Sequence, residues 1–301
     1  MSAVKDLNCV NDYCEPLGLS ALHPLVSVID LSEGKWRKLD NTDAVRYNFY
    51  AVFLKQGANC ILKYGRKNYD YQDGTLVFVG PGQLVNVSQV DTSIPPAGYA
   101  LLFHPDLLLG TNLGKSMSKY SFFSYELNEA LHLSLRERQI VMDCFDKVRY
   151  ELSQNIDKHS RTLLVSNIEL FLNYCIRFYD RQFITRDIVH VGIVEAFEKA
   201  IETYLQSGKA LEAGPPSVRY FADELSLSAN YFGDLIKKET GKSAIEYIQD
   251  KIIALAKQRI FDPQSSISEI AYELGFKYPQ HFTRFFKSKV GCSPSEYRRS
   301  N

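Results

Sequence analysis

The sequence predicts an α+β chain in two parts: an N-terminal small β-barrel followed by a helical segment, and an all-helical C-terminal domain. Three observations predict it. Short runs rich in β-branched and aromatic residues crowd the stretch between about Leu25 and Phe103. The hydrophobic period then lengthens to three and four from Leu135 onward. The last third writes one helical pattern twice, at an offset of 49 to 50 residues. A length of 301 residues suits two domains, and 45% hydrophobic with 23% charged residues suits an ordinary globular chain.

The strand candidates are Leu25 to Ile29, Tyr47 to Phe53, Cys60 to Tyr64, Thr75 to Val79, Leu84 to Val87 and Tyr99 to Phe103. Gln56-Gly57, Asp73-Gly74, Gly80-Pro81-Gly82 and Pro95-Pro96 separate them as turns. This spacing predicts a cupin-like jelly roll over 1–130, a fold that often encloses a pocket. A metal site in such a barrel needs clustered histidines and carboxylates. His23 and His104 are the only histidines among the first 110 residues and stand far apart, so no metal, cofactor or catalytic group is expected. Trp36, Tyr47, Phe49, Tyr64 and Phe78 are candidates to line an effector pocket, although such residues are more often plain core.

From Leu135 to about Phe183 the pattern is helical. Ile140, Val141, Phe145, Val148 and Leu152 form one stripe; Leu163, Leu164, Ile168, Phe171, Leu172, Cys175 and Phe178 form another. Residues 131–207 are therefore expected as a helical linker and dimerisation segment, its stripes buried within the chain or against a second copy. Residues 208–217, with Ala213-Gly214-Pro215-Pro216, are expected as a linker. No window approaches the roughly 18 uninterrupted apolar residues of a membrane helix. Met1 to Glu15 has one basic residue and no apolar core, unlike a signal peptide. The six cysteines are scattered, which suits reduced thiols, and a cytoplasmic location is expected. The formal net charge is zero, yet residues 214–301 hold 13 Lys+Arg against 10 Asp+Glu, a mild excess that suits a nucleic-acid partner.

The repeated pattern carries the function. Its first copy is Phe221-Ala222-Asp223-Glu224-Leu225-Ser226-Leu227, then Tyr231-Phe232, Leu235-Ile236-Lys237 and Gly241. Its second is Ile270-Ala271-Tyr272-Glu273-Leu274-Gly275-Phe276, then His281-Phe282, Phe285-Phe286-Lys287 and Gly291. A short helix, a tight turn and a second amphipathic helix make a helix-turn-helix, which lays its second helix in a DNA major groove. Ser228 suits the N-cap of the first such helix and Gly241 its end. Ser266 or Ser268 caps the second supporting helix, and Pro279 suits the first turn of the second recognition helix. Ala244 to Phe261 is an unbroken helix that would fix the spacing of the two units. Arg284 can donate twice to guanine, Gln280 can bond adenine bidentately, and Thr283 offers a hydroxyl or a methyl. Lys237, Lys238, Lys277 and Lys287 suit phosphates.

With its Phe282-Thr283-Arg284-Phe285-Phe286-Lys287 and Gly291-Cys292-Ser293-Pro294-Ser295-Glu296-Tyr297-Arg298 runs, the stretch Ser217 to Ser300 resembles the C-terminal domain of the AraC/XylS family of bacterial transcription regulators. The resemblance covers about 85 residues. It implies a seven-helix domain over 218–301 whose two helix-turn-helix units contact successive major grooves. The base-reading positions it implies are Asn230, Gly233 and Asp234 in the first recognition helix and Gln280, Thr283 and Arg284 in the second; Tyr278 joins the phosphate-contact set. It also implies a homodimer that activates transcription with RNA polymerase on double-stranded DNA. The chain departs from the family at Gly233, which reaches nothing, and at Asp234, which accepts only from a cytosine amino group. The second unit is thus expected to dominate sequence reading.

Two other functions compete. One is an enzyme fused to a DNA-binding tail, but Cys60 and Cys175 lie in apolar runs without the setting of a reactive thiol, so no enzyme is expected. The other is a ligand-independent regulator whose barrel only dimerises, as against one controlled by a small molecule.

Overall fold

In a computed structural model the described residues are 4–35, 44–56, 61–64, 67–70, 74–86, 97–126, 129–185, 187–262 and 265–300; the side chains of 56, 61–64, 67–70, 86, 184–185, 187–191 and 300 are not among them. The chain divides into two compact units, Met1–Thr185 and Arg186–Asn301.

Among the described residues the first unit holds ten strands: β1 (Val4–Leu7), β2 (Val26–Asp30), β3 (Ala44–Tyr47), β4 (Tyr50–Gln56), β5 (Ile61–Tyr64), β6 (Lys67–Asp70), β7 (Thr75–Val79), β8 (Gln83–Asn86), β9 (Ala97–Phe103) and β10 (Leu131–His132). A five-stranded antiparallel sheet runs β10-β7-β4-β9-β2. A three-stranded sheet runs β1-β3-β8, with β1 and β3 parallel, and β5 and β6 form a hairpin. Among the described residues these sheets do not close on one another, so the architecture is a mixed α+β unit with separate sheets.

The run expected as one strand, Tyr47 to Phe53, is two. Asn48 turns the chain, its N–H donating to Leu7 O at 2.9 Å, so that β3 joins one sheet and β4 the centre of the other. Helices α1 (Val10–Cys14), α2 (Asn112–Ser116), α3 (Leu135–Leu152) and α4 (Ser160–Thr185) complete the unit. One face of the five-stranded sheet, with Ile29, Val77 and Leu102, shares a core with Leu7, Val10, Val45, Tyr47 and Phe49. The other face meets aromatic rings: Phe78 lies 4.4 Å from Phe122 and 6.1 Å from Tyr179 of α4, and Phe103 stacks on Tyr50 at 4.9 Å. A sheet buried on both faces needs no polar alternation, which is why Thr75 to Val79 reads as a continuous run and is buried throughout.

The α3 and α4 stripes meet each other. Phe145 and Phe171 stand 5.2 Å apart, and Val141, Val148, Ile168, Leu172 and Cys175 are buried beside them. Of the residues expected in the α4 stripe, Leu163 is exposed.

The second unit is helical: α5 (Asp187–Gln206), α6 (Lys209–Ala213), α7 (Val218–Glu224), α8 (Ala229–Thr240), α9 (Ala244–Ile260), α10 (Ile267–Glu273), α11 (Pro279–Val290) and α12 (Pro294–Ser300). One core runs through it, from Phe197, Ile201 and Tyr204 of α5 to Phe221, Phe232, Ile252, Ile270, Phe282 and Phe286. Phe197 meets Phe232 at 4.9 Å, Phe221 at 5.2 Å and Tyr247 at 5.6 Å. The stretch expected as a linker, 208–217, therefore lies inside this unit. It holds a one-turn helix with Ala210 fully buried, and Pro216 is buried as well. Among the described residues six helices lie from Val218 onward, and α5 adds a further one to the same core.

Candidate nucleic-acid interface

The two helix-turn-helix units form as their residues dictate. Ser228 caps α8 by accepting from Tyr231 N–H at 3.2 Å, and Gly241 ends it in the left-handed region at φ 73°. Pro279 opens α11 and Gly291 ends it at φ 90°. Ser266, the first of the two serines weighed, caps α10 in a reciprocal box with Glu269, and Ser243 does the same for α9 with Glu246. In each unit the recognition helix turns its apolar stripe into the common core: Phe232 and Ile236 from α8, Phe282 and Phe286 from α11, with Leu235 of α8 buried as well.

The opposite faces carry the candidate DNA contacts. On α8, Asn230, Lys237 and Lys238 are exposed, and Gly233 and Asp234 are half-buried. A Cβ built on Gly233 meets nothing within 4 Å, so the middle of this face is bare rather than crowded. On α11, Gln280, Arg284 and Lys287 are exposed and Thr283 is half-buried. Among the described residues neither Gln280 nor Arg284 has a hydrogen bond or ion pair, which leaves both heads free for a ligand. The Thr283 hydroxyl donates to Pro279 O at 3.0 Å, so the methyl is its uncommitted group. Lys277 and Tyr278, both exposed, stand before α11 with the ammonium 5.7 Å from the ring centroid.

His281 is a group that sequence reasoning missed. The repeat pairs it with Tyr231, which is buried, yet His281 is exposed and packs edge-on against Tyr278 at 5.4 Å. A helical projection from Pro279 would have found it beside Gln280. Lys289, exposed in the last turn of α11, is another.

One ion pair and two side-chain-to-backbone hydrogen bonds tie the supporting helices together. Arg259 of α9 pairs with Glu273 of α10, and Arg298 of α12 donates to Ile260 O at 2.6 Å and Ser265 O at 2.7 Å. The Glu246 carboxyl is held below its usual range, first by the Ser243 hydroxyl and then by its backbone N–H, with Lys289 and Lys237 adding attraction.

The effector candidates fall elsewhere. Trp36 and the side chain of Tyr64 lie outside the described residues. Tyr47 and Phe49 pack in the core of the first unit at 5.6 Å from each other, and Phe78 belongs to the aromatic layer. A cleft of about 140 Å³ in the first unit is lined instead by Leu22, His23, Leu25, Leu107, Glu151 and Arg161 among others.

Comparison with known proteins agrees with this geometry. Residues 221–300 match the helix-turn-helix domain family HTH_18. The uncharacterized transcriptional regulatory protein YesN of Bacillus subtilis is 38% identical over 93 residues, which are 29% of this chain and 25% of that protein. The uncharacterized HTH-type transcriptional regulator YfiF of the same organism is 22% identical over 260 residues, 86% of this chain and 79% of that one. The solved C-terminal domain of AraT, a response regulator from Geobacillus stearothermophilus, is 26% identical and covers 36% of this chain and 85% of its own, with a TM-score of 0.33. The match to YesN thus spans about a quarter of that relative's length. The C-terminal unit is an AraC-type helix-turn-helix domain. Regulators of the AraC/XylS family carry a DNA-binding domain of this type.

Proposed function

We propose that this chain is a sequence-specific transcription regulator that reads double-stranded DNA with α8 and α11, the second helix supplying most of the discrimination. One observation carries the reading: two helix-turn-helix units share a single core and leave polar and basic faces on both recognition helices. Arg284, Gln280, Thr283 and Asn230 address base edges, and Lys237, Lys238, Lys277, Tyr278 and Lys287 address phosphates. Gly233 and Asp234 leave the first helix a positioning role. In this reading the N-terminal region, 1–130, is a cupin-like jelly roll that holds a small-molecule effector, and 131–207 pairs two copies. The protein is cytoplasmic, is not an enzyme, and by family analogy acts on RNA polymerase.

Selection of bound sequences from a random duplex pool by the full-length chain, followed by binding titrations, tests the DNA-reading claim. Enrichment of a defined motif is expected. Uniform binding of all duplexes would remove the claim.

A second reading, a ligand-independent regulator whose N-terminal unit only dimerises, has one observation in its favour. Tyr47, Phe49 and Phe78 are spent on ring packing rather than on the cleft. Thermal unfolding of the full-length chain against sugars, organic acids, lipids and aromatics separates the two. A ligand at 100 times its dissociation constant stabilises by about 2.7 kcal/mol. No saturable shift in any class would favour the second reading.

A further inference from the structure

The two helix-turn-helix turns share one geometry and differ in what lies outside them. In the first, Ser226 N–H donates to Asp223 O at 3.1 Å and Leu227 N–H to Ala222 O at 2.9 Å. In the second, Gly275 N–H donates to Tyr272 O at 2.8 Å and Phe276 N–H to Ala271 O at 2.9 Å. Both turn residues are left-handed, Ser226 at φ 58° and Gly275 at φ 89°. The first unit therefore shows that such a turn accepts a side chain.

The glycine at 275 answers to a neighbour. A Cβ there would stand 2.5 Å from Gly214 C, 2.6 Å from Pro215 N and 2.8 Å from Gly214 O. These are backbone atoms and cannot swing aside. Gly214 is itself held in place: its N–H donates to Ala210 O at 2.9 Å, and its carbonyl accepts from the Tyr204 hydroxyl at 3.0 Å. Tyr204 is buried in the core of the unit. Lys209 secures the outer side, its ammonium 2.7 Å from the Tyr220 hydroxyl and 4.5 Å above that ring. Two residues past Pro215 the chain becomes Ser217, the N-cap of α7.

We infer that the strap 208–216 is a second brace between the two helix-turn-helix units. The helix α9 joins them along the chain. The strap joins them again, running from the turn of the second unit directly into the first helix of the first. Gly275, Gly214 and Tyr204 are positioning residues in this account: they touch no DNA but fix the spacing and angle of α8 and α11. The inference rests on the proposal that both helices engage one duplex.

The test uses the full-length chain and the motif selected by the wild type. Binding is measured to the whole motif, to each half alone, and to versions with the halves moved one or two base pairs closer or further apart. Two variants are compared. Gly275→Ser installs the residue type that the first turn already carries, and Tyr204→Phe removes one hydroxyl while keeping the ring. The expected result is unchanged binding to single halves, with a loss of roughly tenfold on the whole motif because linked sites no longer reinforce each other. The penalty for altered spacing should shrink at the same time. Should Gly275→Ser fail to fold, Tyr204→Phe decides. A wild type with a spacing preference that the variants share in full overturns the brace alone. A wild type that binds both halves no better than one removes the two-groove reading and the brace with it.

Discussion

Arg284 is exposed on α11, and its guanidinium has no hydrogen-bond or ion-pair partner among the described residues. A bidentate contact to guanine contributes about 1–3 kcal/mol of discrimination, so Arg284→Ala should flatten preference at one base pair and leave the others intact. Binding titrations across a set of singly substituted motifs measure this; unchanged discrimination at every position would show that Arg284 reads no base. Gly233 makes a second residue-scale prediction. It sits mid-helix with open space around its missing Cβ, so Gly233→Ala should stabilise the unit by about 0.5–1 kcal/mol in denaturant unfolding. A destabilised variant would mean that something occupies that space. The outward residues were legible in the sequence because the stripes of α8 and α11 leave them no inward position. His281 was not, because its repeat partner Tyr231 is buried and the repeat carries no information about that difference.

At the scale of the element, the helix starts share one device. Glu246, Glu269 and Glu296 each accept from the backbone N–H of a capping serine, at 2.9, 2.7 and 2.7 Å. These bonds hold all three carboxyls below their usual range: the serine hydroxyl leads for Glu246 and Glu296, the backbone N–H for Glu269. A depressed folded-state value contributes stability that is present above the unfolded value of about 4.3 and is lost as pH falls through the folded one. The thermal midpoint should therefore fall below about pH 4.3 less steeply in the triple variant Glu246→Gln, Glu269→Gln, Glu296→Gln than in the wild type. Equal slopes would show that the caps do not titrate with folding. Such elements were readable from sequence because Ser228, Gly241, Pro279 and Gly291 act locally. The break between β3 and β4 was not, since the run Tyr47 to Phe53 holds one polar residue, Asn48, and no Gly or Pro, and only long-range pairing divides it. The two-residue strand β10 is likewise set by distant groups: His132 N–H donates to Gln182 Oε1 at 2.7 Å.

The whole molecule shows where local pattern stops being informative. An amphipathic stripe looks the same whichever unit buries it, so α5 read as part of a middle segment although Phe197 is central to the C-terminal core. A fragment over 187–301 should fold and bind DNA, whereas one over 218–301 should not. Phe197, Ile201, Tyr204 and Leu205 are each at most 4% exposed. Burying each such side chain contributes about 1.5–3 kcal/mol, together comparable to the 5–15 kcal/mol of a typical domain. Circular dichroism and cooperative unfolding of the two fragments check this, and a cooperatively folding shorter fragment would contradict it.

The central claim is that two recognition helices on one core read one duplex, α11 more than α8. Sequence selection by the full-length chain, repeated with Arg284→Ala, tests it most directly. The account predicts a bipartite motif whose halves lie about one helical turn, 10–10.5 base pairs, apart. Information should concentrate in one half, and that half should lose a single position in the variant. A single short motif, or a loss in the variant that falls equally on both halves, would contradict it.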